Sequence, residues 1–222
     1  DDVLRHMLIG LHSAHSAGAP FCWYSAKRDA GLKRGYRLAT DAESGLRNDE
    51  FHLVYQPRYR ASDLVPVAAE VLLRWQHPDL GAVSPAEFIP VFERTALMDV
   101  VTGWVVDHAL TQLAQWRRDG IFLVLSINLS PRDVARAGMA DSLITRIQMH
   151  GLSCHDTDIE ITEGEWLRAD PPPGEQLKLL SAAGVRIAVA DFRRGHRTFG
   201  HLPDLPICPT NPDQSILYSL PP

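Results

Sequence analysis

From residue 122 onward, short segments rich in β-branched and apolar residues alternate with segments of helical periodicity. Strands are predicted over 122–129, 158–163 and 185–191, and helices over 132–149 and 174–183. Repeated strand–helix units of this length favour a parallel sheet, which is either doubly wound or closed into a (β/α) barrel. The alternation therefore limits the chain to an α/β fold.

This alternation stops near the end of the sequence. Residues 205–213 stand where another strand is due, but Pro206 and Pro209 remove two donors from a sheet ladder. The segment is therefore a poor candidate for a central strand. The sequence reaches Pro222 before the eight strands of a closed barrel have been counted. We expect a barrel that is C-terminally truncated or incomplete.

The N-terminal segment has a different character. An amphipathic helix is predicted over 1–18, and a charged stretch follows at 27–37. Residues 1–35 are too few to bury a core of their own, so we interpret them as the tail of a preceding domain and its linker. The main domain is then predicted to cover 36–222, and it begins with a short helix over 38–47.

Two strands that pair in an antiparallel hairpin are predicted next. The first covers 51–57 and stops at Pro57, and the second covers 64–75. In the second strand a period of two puts apolar residues on one face, whereas Glu70 and Arg74 share the other face with one leucine. Two interpretations are open at this point: an internal Glu70–Arg74 ion pair, or one wall of a site at the mouth of a barrel.

Two helices are predicted between this hairpin and residue 122. Ser84 and Pro85 form a typical helix start, with a hydroxyl cap, Pro at the first helical position and Glu87 three residues after the cap. A longer helix is predicted over 99–119, where Gly120 ends it.

The charge and cysteine content exclude some classes of function. The net charge of −5 leaves no basic surplus for a general nucleic-acid binder. The sequence shows no apolar run of membrane-spanning length and no signal peptide. Its three cysteines are far apart and lack metal spacing, so we expect a reducing compartment, the cytoplasm.

Polar side chains with oxygen ligands recur at or near the ends of successive predicted strands. Oxygen donors without Cys or His suit Mg²⁺ or Mn²⁺ rather than zinc, and strand ends of a barrel converge on one site. In the alternative interpretation the same side chains cap helices or pair with Arg74 and Arg186. The four residues are Glu70, Asn128, Glu160 and Asp191.

The strand that carries Glu70 leads to a family. Its sequence Glu70-Val71-Leu72-Leu73-Arg74-Trp75 resembles the signature of the EAL domain family, with Val71 in place of the usual Ala. The resemblance runs from about Leu38 to Ile216, and Phe21–Tyr24 resembles the end of a GGDEF domain upstream of it. The supporting motifs follow in the family's order: Tyr55-Gln56-Pro57, Pro85-Ala86-Glu87-Phe88-Ile89-Pro90, Asn128-Leu129-Ser130, Glu160-Ile161-Thr162-Glu163 and Ala190-Asp191-Phe192.

The resemblance implies a TIM-like barrel that binds cyclic di-GMP and, when active, hydrolyses it to pGpG with two Mg²⁺ or Mn²⁺ ions. It implies no nucleic-acid polymer as partner, and a homodimer or an upstream GGDEF domain are the expected protein partners. The residue roles that it carries over are metal binding for Glu70, Asn128, Glu160 and Asp191, nucleotide contact for Gln56, Arg74 and Asp213, and bracing of the loop after Asp191 for Glu163. Glu70, Asp191 and Glu163 form the predicted catalytic set.

The sequence departs from the family at the positions that carry the chemistry. The family has two adjacent Asp residues where this chain has Ala190 before Asp191, and it has Lys where this chain has Asn211. The Gly-rich loop expected after Phe192 reads Arg193–Arg197, and the later strand with a further Glu ligand would lie beyond Pro222.

These departures predict a degenerate domain that is catalytically weak or inactive. Two alternatives are a metal-independent cyclic di-GMP receptor or protein-interaction module, and an active enzyme that obtains the missing parts elsewhere. Binding and turnover assays with cyclic di-GMP separate the three.

Overall fold

A computed structural model describes residues 2–16, 18, 20–23, 25–162, 174–190 and 207–209. The chain divides into two compact units, one formed by Asp1–Phe51 with Trp75–Met98 and the other by His52–Arg74 with Asp99–Pro222. None of the helices in the described ranges is both long and apolar enough to cross a membrane.

The first unit is mostly helical. It contains α1 (Asp2–Ser16), α2 (Ala26–Arg47), α3 (Pro85–Phe92) and the short strand β3 (Gly81–Val83). Its core is aromatic: the ring of Phe51 stacks on Trp75 at 4.5 Å between centroids, and Phe88 and Phe92 pack against both. The indole Nε1 of buried Trp75 donates to Glu50 at 3.0 Å, which satisfies the only polar atom of that side chain.

Helix α2 corrects two sequence predictions. The charged stretch 27–37 and the short helix 38–47 form one continuous helix, because Lys and Arg are good helix formers and ion pairs span one turn. Two such pairs are Lys33–Asp29 and Arg37–Asp41, both at 3.3 Å. The proposed boundary between residues 35 and 36 falls inside α2, and the division into tail and main domain stays a prediction.

The second unit is organised around a mixed sheet. Six strands of the described chain lie in the order β1 (Phe51–Tyr59), β2 (Pro66–His77), β4 (Val124–Asn128), β5 (Thr157–Thr162), β6 (Arg186–Ala190) and β7 (Ile207–Pro209). From β2 to β7 neighbouring strands are parallel, as the strand–helix alternation predicts. Residues 207–209 form the short strand β7, which pairs with β6 at the end of the described sheet, so this segment is not a central strand there, as predicted.

The predicted hairpin is present, and its first strand is longer than expected. A loop of six residues, 60–65, joins β1 to β2, which is too short for a parallel connection. The backbone carbonyl of Glu50 accepts from the N–H of Gln76, and the backbone N–H of Arg60 donates to the carbonyl of Val65. The backbone N–H and C=O groups of the even-numbered residues of β1 therefore point towards β2. The backbone nitrogen of Pro57, an odd-numbered residue, therefore points away from β2, and its missing N–H does not interrupt the pairing.

Helices follow the parallel strands, with one break that the sequence analysis missed. In the described ranges these helices are α4 (Leu97–Arg118), α5 (Pro131–Ala135), α6 (Met139–Met149) and α7 (Gly174–Ala182). The predicted single helix 132–149 is wrong: Gly138 has a φ of 76° and separates α5 from α6. This left-handed conformation is open to Gly without steric cost.

The core of the second unit lies between the sheet and these helices. Ile127 and Ile159 are fully buried on the helix-facing side of β4 and β5. Because side chains alternate along a strand, their neighbours Ser126, Asn128 and Glu160 project to the opposite face. The burial of the isoleucines thus fixes which face carries the polar residues.

The cap of α5 holds the end of β4 and gives a test of local stability. Ser130 Oγ accepts from the backbone N–H of Asp133 at 3.1 Å, and the Asp133 carboxylate accepts from the backbone N–H of Ser130 at 3.2 Å. We expect Ser130→Ala to lower the free energy of unfolding by about 1–2 kcal/mol, measured by urea denaturation. Ser84→Ala is the matched control, because Ser84 precedes α3 without a side-chain cap bond. Equal losses in the two variants would contradict this assignment.

Candidate functional site

Three of the predicted metal ligands come together on the polar face of the sheet. Glu70 lies within β2 at the last residue pair of its parallel ladder with β4, opposite Ser126. Asn128 ends β4 and lies opposite Glu160 of β5. The Asn128 Nδ2 donates to Glu70 Oε1 at 3.0 Å. The structure thus places the side chains of Glu70, Asn128 and Glu160 around one position, and their roles as ligands stay predictions.

Arg58 of β1 stands at the centre of this group, and the sequence analysis missed it. Its Nη2 donates to Glu70 Oε2 at 3.3 Å and to Glu160 Oε1, and its Nη1 donates to Ser126 Oγ at 3.1 Å. The Glu160 side chain is only 3% exposed and that of Arg58 19%. Period-two alternation along β1 puts Arg58 on the same face as Gln56, and this was the available signal.

The predicted Glu70–Arg74 ion pair is wrong, whereas the alternative in which the acidic side chains cap helices or pair with Arg186 stays a prediction. Glu70 pairs with Arg58 and not with Arg74, since four residues along a strand separate two Cα atoms by about 13 Å. The Arg74 guanidinium donates instead to the backbone carbonyl of Leu73 at 2.9 Å. Arg186 makes a two-pronged pair with Asp158, at 2.8 and 3.0 Å.

The electrostatics of Glu160 show why this position attracts a cation. Burial raises the pKa of Glu160, while the hydrogen bond and positive charge of Arg58 oppose that shift. A carboxylate removed from water stays ionised at low cost only when a cation or hydrogen-bond donors compensate it. The buried carboxylate therefore needs a positive partner, which Arg58 supplies in this structure.

The donor set fits a hard divalent cation. Carboxylate oxygens of Glu70 and Glu160, from two different strands, converge on a single nitrogen atom of Arg58. Oxygen ligands that converge in this way suit Mg²⁺ or Mn²⁺. Within the described ranges no three His, Cys, Asp or Glu side chains are grouped closely enough to hold a metal. The amide oxygen of Asn128 would be the third donor, although in this structure Asn128 presents its Nδ2 to Glu70.

Of the remaining predicted site residues, Gln56 and Arg74 lie within the described residues. Gln56 is exposed on β1, next to Tyr55, whose ring packs on Trp116 at 4.8 Å on the other face. Burial raises the pKa of Tyr55 to about 12, so it is a neutral packing residue. Arg74 is half-buried on β2. Glu163, Asp191, Asp213, Asn211 and the loop 193–197 lie outside the described residues, and the backbone of Ala190 ends β6 opposite Thr162.

Comparison with known proteins shows which family the chain is similar to. The EAL domain model matches residues 39–221. A cyclic di-GMP phosphodiesterase of Pseudomonas aeruginosa is 35% identical over 220 residues, which are 99% of this chain and 38% of that protein. MucR, a bifunctional diguanylate cyclase/cyclic di-GMP phosphodiesterase of the same organism, is 29% identical, with 99% of this chain and 33% of the relative covered. The chain thus spans about a third of the length of either relative.

A solved structure shares the fold as well. The PaMucR phosphodiesterase in complex with c-di-GMP superposes with a TM-score of 0.71 at 32% identity, covering 77% of this chain and 70% of that one. The TIM-like α/β fold of the EAL type and the family resemblance are both confirmed, while the upstream GGDEF remnant stays a prediction. With its family model matched over most of its length, this chain belongs to the EAL domain family.

Proposed function

We propose that this chain is a cyclic di-GMP-binding EAL domain whose hydrolytic turnover is weak or absent. One observation carries the proposal: Glu70 and Glu160 converge on one cation position, whereas position 190, two residues beyond the partner of Glu160 in β6, is an alanine. We therefore propose that the site holds one divalent ion, where the family resemblance implies two. Expected partners beyond the dinucleotide are a second copy of the chain or an upstream GGDEF domain.

The metal part of the proposal concerns Mg²⁺ or Mn²⁺. Glu70, Asn128 and Glu160 would hold the ion, and Asp191 is the further ligand that the resemblance implies. When bound, such an ion activates a water molecule and stabilises charge that develops on a phosphate. Around it, Glu160 and Glu70 provide two negative charges from a largely buried surface, which is a favourable setting for a divalent cation.

The nucleotide part of the proposal concerns three side chains. Arg74 would contact a phosphate, because a guanidinium offers paired donors to phosphate oxygens. Gln56 would contact the nucleotide from β1, and Asp213 is assigned by resemblance. In support, Arg74 has an exposed fraction that allows ligand contact, and its described hydrogen bond uses only Nη1.

The weak-turnover part of the proposal follows from the size of one lost contact. A group that stabilises the transition state typically contributes about 3–4 kcal/mol, and its loss costs roughly 10²–10³ in rate. Ala190 and Asn211 each replace such a group. Two independent losses would lower the rate by roughly 10⁴–10⁶.

The test combines a hydrolysis assay with a binding titration. With cyclic di-GMP and either Mg²⁺ or Mn²⁺, we expect chromatography to detect no steady formation of pGpG. Isothermal titration calorimetry with the same nucleotide should show saturable heat. Steady conversion to pGpG would contradict the weak-turnover proposal, and absence of heat up to millimolar nucleotide would contradict binding.

A second candidate is a receptor that binds cyclic di-GMP without metal. The observation that favours it is Arg58, whose positive charge pairs with both Glu70 and Glu160 and offsets part of their negative charge. Repeating the titration in excess EDTA distinguishes the two candidates. An unchanged affinity favours the metal-independent receptor, and a lost or weakened heat favours the metal-dependent site.

A further inference from the structure

We propose that Arg58 is a tethered counter-ion that occupies the cation position of this site and has to withdraw before a divalent metal binds. The inference rests on the metal part of the proposed function and adds a residue to which the family resemblance gave no role. It makes Arg58 a competitor of the metal and a determinant of the metal affinity of this particular domain.

The guanidinium of Arg58 lies where a metal ion bound to Glu70 and Glu160 would lie. A single nitrogen, Nη2, donates to the carboxylates of both Glu70 and Glu160. A Mg²⁺ or Mn²⁺ ion bound to the same two oxygens would lie about 2.1 Å from each of them. The nitrogen and the ion would therefore compete for the same space between β2 and β5, and both cannot be present.

The buried charge of Glu160 makes Arg58 and a metal ion alternatives to each other. Glu160 is nearly fully buried, so an uncompensated negative charge there would be costly. Arg58 neutralises that charge when no metal is bound. When the ion arrives, it takes over this role, and a positive guanidinium left in place would repel it. The two cations are thus alternatives for one pair of carboxylates.

The hydrogen bonds of the Arg58 guanidinium are incomplete. Nη1 has an acceptor in Ser126 Oγ at 3.1 Å, but the buried Nε of Arg58 has no hydrogen-bond partner among the described residues. A buried donor without an acceptor disfavours the closed arrangement. Arg58 therefore fills the position well enough to balance charge and loosely enough to leave it.

The expected effect on metal affinity follows from populations. If the guanidinium leaves the position in about one molecule in ten, the apparent Kd for the metal is about tenfold weaker than that of the open site. Removing the guanidinium removes this cost and also removes a repelling charge. Both effects lower the apparent Kd for the metal.

The experiment measures Mn²⁺ binding to the whole chain by calorimetry and by the electron paramagnetic resonance signal of free Mn²⁺. The Arg58→Met variant is expected to bind Mn²⁺ about tenfold more tightly than the wild type. Arg58→Lys keeps the charge on a compact ammonium but loses the second donor, Nη1, that bonds to Ser126 Oγ, and its Mn²⁺ affinity is expected to lie between those of the other two proteins. Thermal melting gives a second readout: without metal Arg58→Met melts below the wild type, and Mn²⁺ raises its melting temperature more.

Arg60→Met is the matched control. Arg60 lies on the same hairpin, pairs with Asp63 at 2.8 Å and carries the same charge, with an exposed side chain. It should leave Mn²⁺ affinity within about twofold of the wild type, so that a general charge effect is excluded.

The outcomes separate this inference from the proposed function. Equal or weaker Mn²⁺ binding by Arg58→Met, or no Mn²⁺ binding by any of the proteins, would overturn the inference. If Arg58→Met does not fold, the Mn²⁺ affinity of Arg58→Lys is the deciding measurement. An Mn²⁺ affinity of Arg58→Lys no higher than that of the wild type would overturn the inference. The expected affinity order together with no cyclic di-GMP binding would support the inference and reject the proposed function.

Discussion

Arg74→Ala is expected to weaken cyclic di-GMP binding by roughly 10²-fold, because a hydrogen-bonded charge pair with a phosphate is worth about 3 kcal/mol. The change leaves β2 intact, since Arg74 is only half-buried and its described bond goes to a neighbouring carbonyl. Titration calorimetry of the variant measures the loss directly, and circular dichroism confirms that the fold is retained.

A control for Arg74→Ala is available on α4. Arg118 is exposed and bonds to Gln115 on its own helix at 2.6 Å, so Arg118→Ala removes the same charge away from the site. Its affinity for cyclic di-GMP should match that of the wild type within about twofold. If Arg74→Ala also binds as the wild type does, Arg74 is not the phosphate contact.

Ala190→Asp is expected to raise hydrolysis of cyclic di-GMP by about 10²-fold and to raise the number of bound Mn²⁺ ions from one to two. The substitution restores a carboxylate at the end of β6, in the strand next to the one that carries Glu160. Chromatography of pGpG measures the rate, and calorimetry measures the metal stoichiometry.

Ala190→Asn is the control of equal size without the charge. An amide oxygen is a weaker ligand for a divalent ion and adds no negative charge, so this variant should gain little in either measurement. Equal behaviour of the Asp and Asn variants would mean that the missing charge at position 190 does not limit turnover.

The convergence of the acidic side chains was predictable from two simple periodicities. Alternation along each strand separates Ile127 and Ile159 from Asn128 and Glu160, and parallel pairing aligns Asn128 with Glu160. Glu70 joins them because β2 is the next strand in the sheet. Pattern and order along the chain were sufficient here.

The cation partner of Glu70 was not predictable in the same way. In the sequence Arg74 is the nearer arginine, but on an extended strand it is far from Glu70 in space. Arg58 is farther along the chain and closer in the sheet, because it comes from the neighbouring strand of the hairpin. Choosing between them requires the cross-strand geometry, which the motif pattern alone does not contain.

Helix boundaries failed for local reasons. The charged stretch 27–37 lacks a continuous apolar face, yet buried Leu38 and Ala42 further along α2 and its ion pairs continue the helix through it. Conversely, an apolar period runs across Gly138 although the backbone there turns into the left-handed region. In both cases a few local contacts outweighed the averaged pattern.

The outward-facing Pro57 has a consequence for the behaviour of the chain in concentrated solution. β1 ends the described sheet, and a terminal strand with free donors and acceptors can recruit a strand from another molecule. At Pro57 an incoming strand would find no N–H donor, so one carbonyl group of that strand would have no hydrogen-bond partner. The proline of the Tyr55-Gln56-Pro57 motif thus also protects this edge against intermolecular strand addition and aggregation.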